Sequence, residues 1–424
     1  NRIAAGIQFN NFLGLPQSIS AWASLNYRKD NLWSVYGNYS YNNIRSSHID
    51  ARVSYEYSNF TKGGSIRIRR NFFSANSRWA GHLKAGIYRE SNALPNSFGP
   101  SIPTNVFYNW QDVWLASSHK LPGKLGQKYD LLRFILSARM YRNNYIARPF
   151  KRSPDGAQTF IDRTYFLGSM GFANWNYYVD HSVYYLGQAE YFSRGLNGAL
   201  ILGFDYDEEL QKRFYSGLQL EYGKRINKLG YYNLRASYGG FTKKNTYQQV
   251  LLRFEHNFYS NAIKLGRKFM MRQFISVGIN LGFNRPIGKE LVLNNSSGMR
   301  GIFTNYIRGT RNYVFNFETD VYPTFKVLGF TSSVFAFANL AISQKGSLKD
   351  YQLKQAYGAG LRLRNMGLGI GSFEIMFVYY PDLNIPGLKP WSIAGGFENT
   401  RAVTPENLFL PNILNTEGQP LLSD

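Results

Sequence analysis

Period-two alternation of side-chain character is the feature that most constrains this chain, and it is clearest between Gly298 and Tyr380. There Tyr-Val-Phe-Asn-Phe-Glu-Thr-Asp-Val-Tyr-Pro (313–323), Ser-Val-Phe-Ala-Phe-Ala-Asn (333–339), Tyr-Gly-Ala-Gly-Leu-Arg-Leu-Arg (357–364) and Phe-Glu-Ile-Met-Phe-Val-Tyr-Tyr (373–380) follow one another, separated by Gly, Pro, Ser or Asn. Successive side chains of a strand point to opposite faces, so each run sorts into two unlike faces. One face is unusually aromatic and the other carries charges. Aromatic faces of this size would aggregate in water. A membrane barrel turns them to lipid and encloses the charges.

The same rhythm runs through most of the remaining chain. Near the N-terminus Ile3, Ala5, Ile7 and Phe9 share one face, opposite Ala4, Gly6, Gln8 and Asn10. Further strand-like runs fall at 19–27, 33–42, 53–57, 65–69, 78–88, 106–117, 131–141, 167–175, 199–206, 214–222, 231–238, 250–258 and 274–283. Tight turns and long Pro-, Gly-, Ser- and Asn-rich connections join them, as expected of the two rims of a membrane barrel. An unpaired backbone amide costs several kcal/mol in the bilayer core, so strands can span only as a closed sheet. The expectation is an all-β fold, a transmembrane antiparallel β-barrel of about 16 strands, an even number being the bacterial rule. It would occupy residues 1–382, with 284–312 as a loop entering the lumen and 383–424 as a C-terminal extension.

The 424 residues could make two or three soluble domains, but no composition break marks a boundary before Pro381. No run of about 18 apolar residues occurs, which argues against helical spans. A formal charge of +23 suits anionic lipid headgroups, lipopolysaccharide or a cation-lined lumen. The basic residues are spread along strands and loops rather than gathered in one footprint, so nucleic acid is not an expected partner. With no cysteine there is neither a disulfide framework nor a thiolate metal site. The chain opens at Asn1 with no initiator Met, basic n-region or apolar stretch, which predicts a processed or truncated product.

Little here suggests covalent chemistry. His48, His82, His119, His181 and His256 form no pair at ligand spacing, and neither an enzyme nor a cofactor is expected. Asp180-His181-Ser182 has triad residue types, but adjacent strand residues point apart. The acidic run Asp205, Asp207, Glu208 and Glu209 lacks a calcium-loop pattern and reads as a solvated turn. What remains is Arg300 in a long connection and Glu318 on the strand after it, in register with Asn316 and Asp320. If that face is lumenal, Glu318 is a buried carboxylate in need of a partner. A loop arginine folded inward would supply a bidentate one. The spacing equally allows two unrelated exposed charges.

Met299-Arg300-Gly301-Ile302 resembles the Val/Leu-Arg-Gly-Phe/Tyr motif of the BamA/TamA superfamily of outer-membrane assembly factors. As in that family, a strand with an acidic residue that ends in Pro follows, here Glu318 to Pro323. Val334–Asn339 resembles the family's next, aromatic-rich strand, Tyr357–Arg362 its penultimate Tyr-Gly-x-Gly-Leu-Arg strand, and Phe373–Tyr380 its final one. The resemblance implies a bacterial outer-membrane barrel with both termini periplasmic. It also implies a lock in which Arg300 and Gly301 enter the lumen and Arg300 pairs with Glu318. Asn339 stands nearest to the family's second acidic partner. A lateral seam would join the first and last strands, Ile3, Ala5, Gly6 and Ile7 against Phe373, Ile375, Phe377 and Tyr379, and would insert client outer-membrane proteins by edge pairing. The implied partners are outer-membrane lipids and lipopolysaccharide, client barrels, and periplasmic or lipoprotein accessory subunits. The alternative is a transport pore, for polypeptide secretion or diffusion, suited by inward charges such as Arg67, Arg69, Arg362 and Arg364.

Overall fold

The structure is a computed structural model. It describes residues 2–11, 14–26, 32–94, 102–122, 130–151, 160–286, 289–302, 306–346, 350–365, 367, 372–382, 389–396 and 410–414. Nine strands come first: β1 (Arg2–Asn10), β2 (Gln17–Asn26), β3 (Leu32–Tyr41), β4 (Ile49–Ser58), β5 (Thr61–Arg70), β6 (Trp79–Leu94), β7 (Ile102–Lys120), β8 (Leu132–Ala147) and β9 (Arg163–Asn174). A hairpin apart from the wall, β10 (Tyr177–His181) and β11 (Ala189–Ser193), interrupts them. The wall resumes with β12 (Gly195–Asp207), β13 (Gln211–Ile226), β14 (Gly230–Lys243), β15 (Thr246–Ser260), β16 (Ile263–Leu265) and β17 (Phe269–Phe283). The next connection contains the short pair β18 (Leu291–Val292) and β19 (Arg308–Gly309). Five strands finish the wall: β20 (Arg311–Pro323), β21 (Thr331–Gln344), β22 (Tyr351–Arg364), β23 (Phe373–Tyr379) and β24 (Trp391–Gly396).

Every alternating run named from the sequence overlaps one of these strands, apart from Tyr27, which lies outside the described residues, and 20 strands join in a single antiparallel sheet. Burial follows the pattern. In β23 Glu374, Met376 and Val378 are buried while Ile375, Phe377 and Tyr379 are exposed. The exposed side chains include Ile7, Trp33, Val53, Leu115, Phe254, Val334 and Phe377, an apolar belt round the outside. Buried Asp112, Arg139, Asp205, Arg213, Glu318 and Arg362 face the interior. This inversion is the one a lipid-facing barrel requires. No helix among the described residues is long and apolar enough to cross a membrane.

The strand number exceeds the about 16 expected: the alternating runs named above already number eighteen, and two further segments were not read as strands. β16 is a three-residue continuation of the β15 line beside β17. β24 lies in the stretch expected to be a C-terminal extension, and it pairs with β23 from Tyr379↔Trp391 to Glu374↔Gly396. The wall therefore runs past residue 382. The Tyr380 amide donates to the Pro390 carbonyl at 2.6 Å, and the Phe377 and Trp391 rings stack at 6.4 Å across the new pair. Most of 383–424, and both chain termini, lie outside the described residues.

Taking β15 and β16 as one line, nineteen strands stand side by side through antiparallel pairings alone. β1 and β24, the two ends of that order, therefore run in the same direction, and among the described residues they do not pair. β1 starts at one rim, here the first rim, and β24 ends at the opposite, second rim. These two strand ends thus face opposite sides, which does not fit an arrangement with both ends of the wall in one compartment. The 284–312 connection joins β17 to β20 at the first rim, and the β10–β11 hairpin sits at the second.

Candidate functional site

The 284–312 connection folds into the barrel instead of away from it. Leu293, Met299, Ile302 and Ile307 are all buried, in one cluster with Val314, Phe335, Phe337, Ala341, Ala356, Met376, Val378 and Tyr380 of the wall. A 3-10 turn at Asn295–Ser297 shapes its tip: the Asn294 side chain accepts from the Ser297 amide and a reciprocal Ser297 bond completes a capping box. Gly301 follows with φ 76°, and a Cβ there would collide with the Tyr380 hydroxyl. That hydroxyl donates to the Arg300 carbonyl at 3.0 Å. The sequence Arg-Gly is thus explained by space: the arginine needs its backbone held against Tyr380, and only glycine leaves room.

Arg300 pairs with Glu318, and both are buried. Arg362 reaches the same carboxylate, with Nη1 2.8 Å from Glu318 Oε1, and its Nε donates to Glu374 Oε2 at 2.5 Å. Asp320 Oδ2 stands 3.6 Å from Arg362 Nη1. The two guanidinium groups also stack on rings, Arg300 over Phe337 at 4.6 Å and Arg362 over Phe335 at 3.6 Å. Beneath the rings are Gly358 and Gly360, where an added Cβ would come within 2.5 Å of Phe337 and Phe335 respectively. The arrangement is layered. Side-chain-free backbone on β22 lets two phenylalanines lie flat on the wall, the rings carry two arginines, and the arginine edges meet Glu318. Cation–π contact is strongest where water is excluded, as here.

Arg300, Gly301 and Glu318 are therefore brought together, whereas Asn339 is not part of their charge cluster. Asn339 stands opposite Asn316 in the β20–β21 register, and the two amides meet at 2.6 Å. The acids that supplement Glu318 are Asp320 and Glu374, and the second cation is Arg362. The signal for Glu374 was its place as the lone carboxylate on the inward face of β23. Its pairing became visible only from the Arg362↔Glu374 register.

The expected seam residues do not meet. Ile3, Ala5, Gly6 and Ile7 lie on β1, whose partner is β2, opposite Leu25, Ala23, Trp22 and Ala21. Phe373, Ile375, Phe377 and Tyr379 lie on β23 between β22 and β24, so β24 occupies the edge expected to face β1. Gly6 has a separate role: a Cβ there would strike the Trp22 ring, which lies across β1 on the inner face with Ser20 and Ser24. The triad residue types do not assemble either. Asp180 faces Arg272 at 3.4 Å, while Ser182 Oγ accepts the Gly187 amide at 3.0 Å in the hairpin turn.

No family model and no curated protein matches the chain. Among solved structures it is similar to CdiB from Escherichia coli, with 15% identity, a TM-score of 0.40, and 85% of this chain covering 58% of that one. It is similar also to BamA from Haemophilus ducreyi lacking POTRA domains 1–3, with 8% identity, a TM-score of 0.45, and 93% of this chain covering 69% of that one. CdiB from Acinetobacter baumannii gives 9% identity, a TM-score of 0.38, and 93% of this chain covering 58% of that one. The chain thus spans little more than half the length of the CdiB chains it matches.

Proposed function

We propose that this chain is the barrel of an outer-membrane assembly factor of the BamA/TamA type, which inserts other β-barrel proteins through a lateral opening in its wall. The observation that carries the proposal is the inward-folded first-rim loop whose Arg300 pairs with Glu318 on the inner face of β20. No covalent step is involved: the loop braces β20 to β23 from within, and the work is done by strand edges. On this reading the seam lies between β1 and β24, the two ends of the strand order, which do not pair with each other among the described residues. An open strand edge templates an incoming strand. Because β1 and β24 run in the same direction, a single client strand can pair antiparallel with both. Outer-membrane lipids and lipopolysaccharide surround the wall, client outer-membrane proteins are the substrates, and periplasmic or lipoprotein accessory subunits assist.

The test is reconstitution in lipid vesicles with an unfolded client barrel, following client folding by heat-modifiable gel mobility. A disulfide between cysteines introduced on β1 and β24 abolishes client folding, and reduction restores it. Undiminished client folding by the cross-linked barrel would refute the seam. The second reading, a polypeptide or diffusion pore, draws on the inner face of β4 and β5, where Arg52 stands opposite Arg67 and Asp50 opposite Arg69. Steady anion-favouring conductance with no effect on client folding would favour the pore.

A further inference from the structure

A second inward-folded segment lies far from the Arg300 loop and has no part in the function proposed above. Residues 410–414 run inside the barrel along β7, β8, β9 and β12 to β14. Leu410 packs against Ala80, Trp114, Ala116, Ile135 and Ala173, which lie toward the second rim. Ile413 is buried among Tyr141, Tyr165, Leu167, Ile201, Tyr215 and Phe241, nearer the first rim. The segment thus climbs the lumen with an apolar side chain in each of two pockets, three residues apart.

Its polar contacts come from two buried wall residues. Arg139 donates Nε and Nη2 to Asp112 at 2.7 and 2.8 Å, which fixes the plane of the guanidinium. The remaining Nη1 is 3.2 Å from the Pro411 carbonyl and 3.3 Å from Asn412 Oδ1. Tyr215, 1% exposed, accepts the Leu414 amide at its hydroxyl, at 2.8 Å. Gly239 supplies clearance, since a Cβ there would lie 2.8 Å from Leu414 Cβ. An arginine fork aimed at a carbonyl, a tyrosine hydroxyl aimed at an amide and two pockets between them make a receptor for extended peptide backbone. Its wall strands are already paired on both sides, so the peptide is held by side chains alone and can leave without breaking the sheet.

We propose that this inner wall is a peptide-binding groove and that residues 410–414 are its resident, displaceable ligand, a latch that narrows the lumen from within. The ligand class is an extended peptide with apolar side chains at positions i and i+3. The proposal stands on this geometry and does not depend on the insertion reading.

The absence of cysteine makes the test direct. In full-length chain carrying Gly239→Cys and Leu414→Cys, oxidation forms the disulfide in the folded barrel, with the tail shifting by about 1 Å to an ordinary Cβ separation and the Tyr215 hydroxyl, 2.5 Å from the new Cβ, turning aside. Planar-bilayer conductance of the oxidised form is low and without open events, and reduction restores them. Truncation after residue 409 raises mean conductance several-fold, and a synthetic peptide of residues 406–418 lowers it again, whereas the same peptide with Leu410→Asp and Ile413→Asp does not. Failure of the disulfide to form, or equal conductance in the oxidised and reduced forms, would overturn the latch. Equal block by the two peptides would overturn the groove. If the truncated chain does not fold, the disulfide comparison decides alone.

Discussion

The walls built by β2 to β5 and by β20 to β23 share one alternating pattern but differ in what occupies their inner face. In the early wall the inner face mixes charges such as Arg52 and Arg67 with serines joined in cross-strand rungs: Ser18 with Ser40 at 2.6 Å, Ser24 with Ser34 at 2.7 Å, Ser54 with Ser65 at 3.1 Å. Most are only half-buried. The late wall presents Phe335, Phe337, Met376 and Val378 together with Glu318, Arg362 and Glu374, all buried because the Arg300 loop covers them. Alternation therefore fixes which side faces lipid, while the inner residue types record whether anything is packed there. A charge becomes a structural element in the second case and a solvated group in the first.

The sharpest way to break this contrast is at Glu318. Glu318→Ala leaves Arg300 and Arg362 facing each other without the carboxylate between them. Removing one partner of a buried ion pair costs about 3–5 kcal/mol. Ser54→Ala in the early wall falls within about 0.5 kcal/mol of the parent, as surface-like sites do. Urea titrations in lipid vesicles followed by tryptophan fluorescence measure both. Equal midpoints for the two variants would mean that the loop cluster does not hold the late wall.

Gly301 gives the next effect. Gly301→Ala adds a methyl group at φ 76° where the Tyr380 hydroxyl already sits. Strain of this kind costs about 1–3 kcal/mol, and its expected expression is local: faster proteolysis within 284–312 while the wall stays protected. Adding Tyr380→Phe removes the hydroxyl contact but not the left-handed backbone, so the double variant recovers only part of the protection. Full recovery would assign the whole effect to the clash.

How much of this could be read from the chain follows from the range of each interaction. Strand identity is local, which is why runs such as 250–258 and 313–323 lie on strands. The meeting of Arg300 with Glu318 depended on a resemblance, because nothing in their spacing required the loop to turn inward. Arg362 and Glu374 pair through a register that the sequence alone left open. β24 escaped notice because Trp-Ser-Ile-Ala-Gly-Gly has only three apolar outward or inward cues and sits in a Pro-, Asn- and Gly-rich stretch. The lumenal tail was still less legible: Leu414 meets Tyr215 across 199 residues, and Asn412 meets Arg139 across 273.

The smallest effect sharpens the comparison from outside the wall, at the first-rim turn between β12 and β13. Glu208 there receives hydrogen bonds from Lys151 and Arg148, the latter pair at 2.8 Å, and these hold its carboxyl at about 2, below the usual 4.5. A carboxylate with a depressed folded value contributes stability that is fully present above its ordinary range and is lost as pH falls toward the folded one. Acidification from 4.5 to about 2 should therefore loosen the Arg148–Lys151 segment from the turn. Because Lys151 is half-exposed and solvent screens the pair, the change stays local. Hydrogen exchange of residues 148–151 measured across that window should rise in the parent chain. In Glu208→Gln it should be fast at every pH once the intrinsic rate is divided out. A parent profile as flat as the variant's would show that the rim contact carries no weight, leaving the buried cluster around Glu318 as the place where charge shapes this barrel.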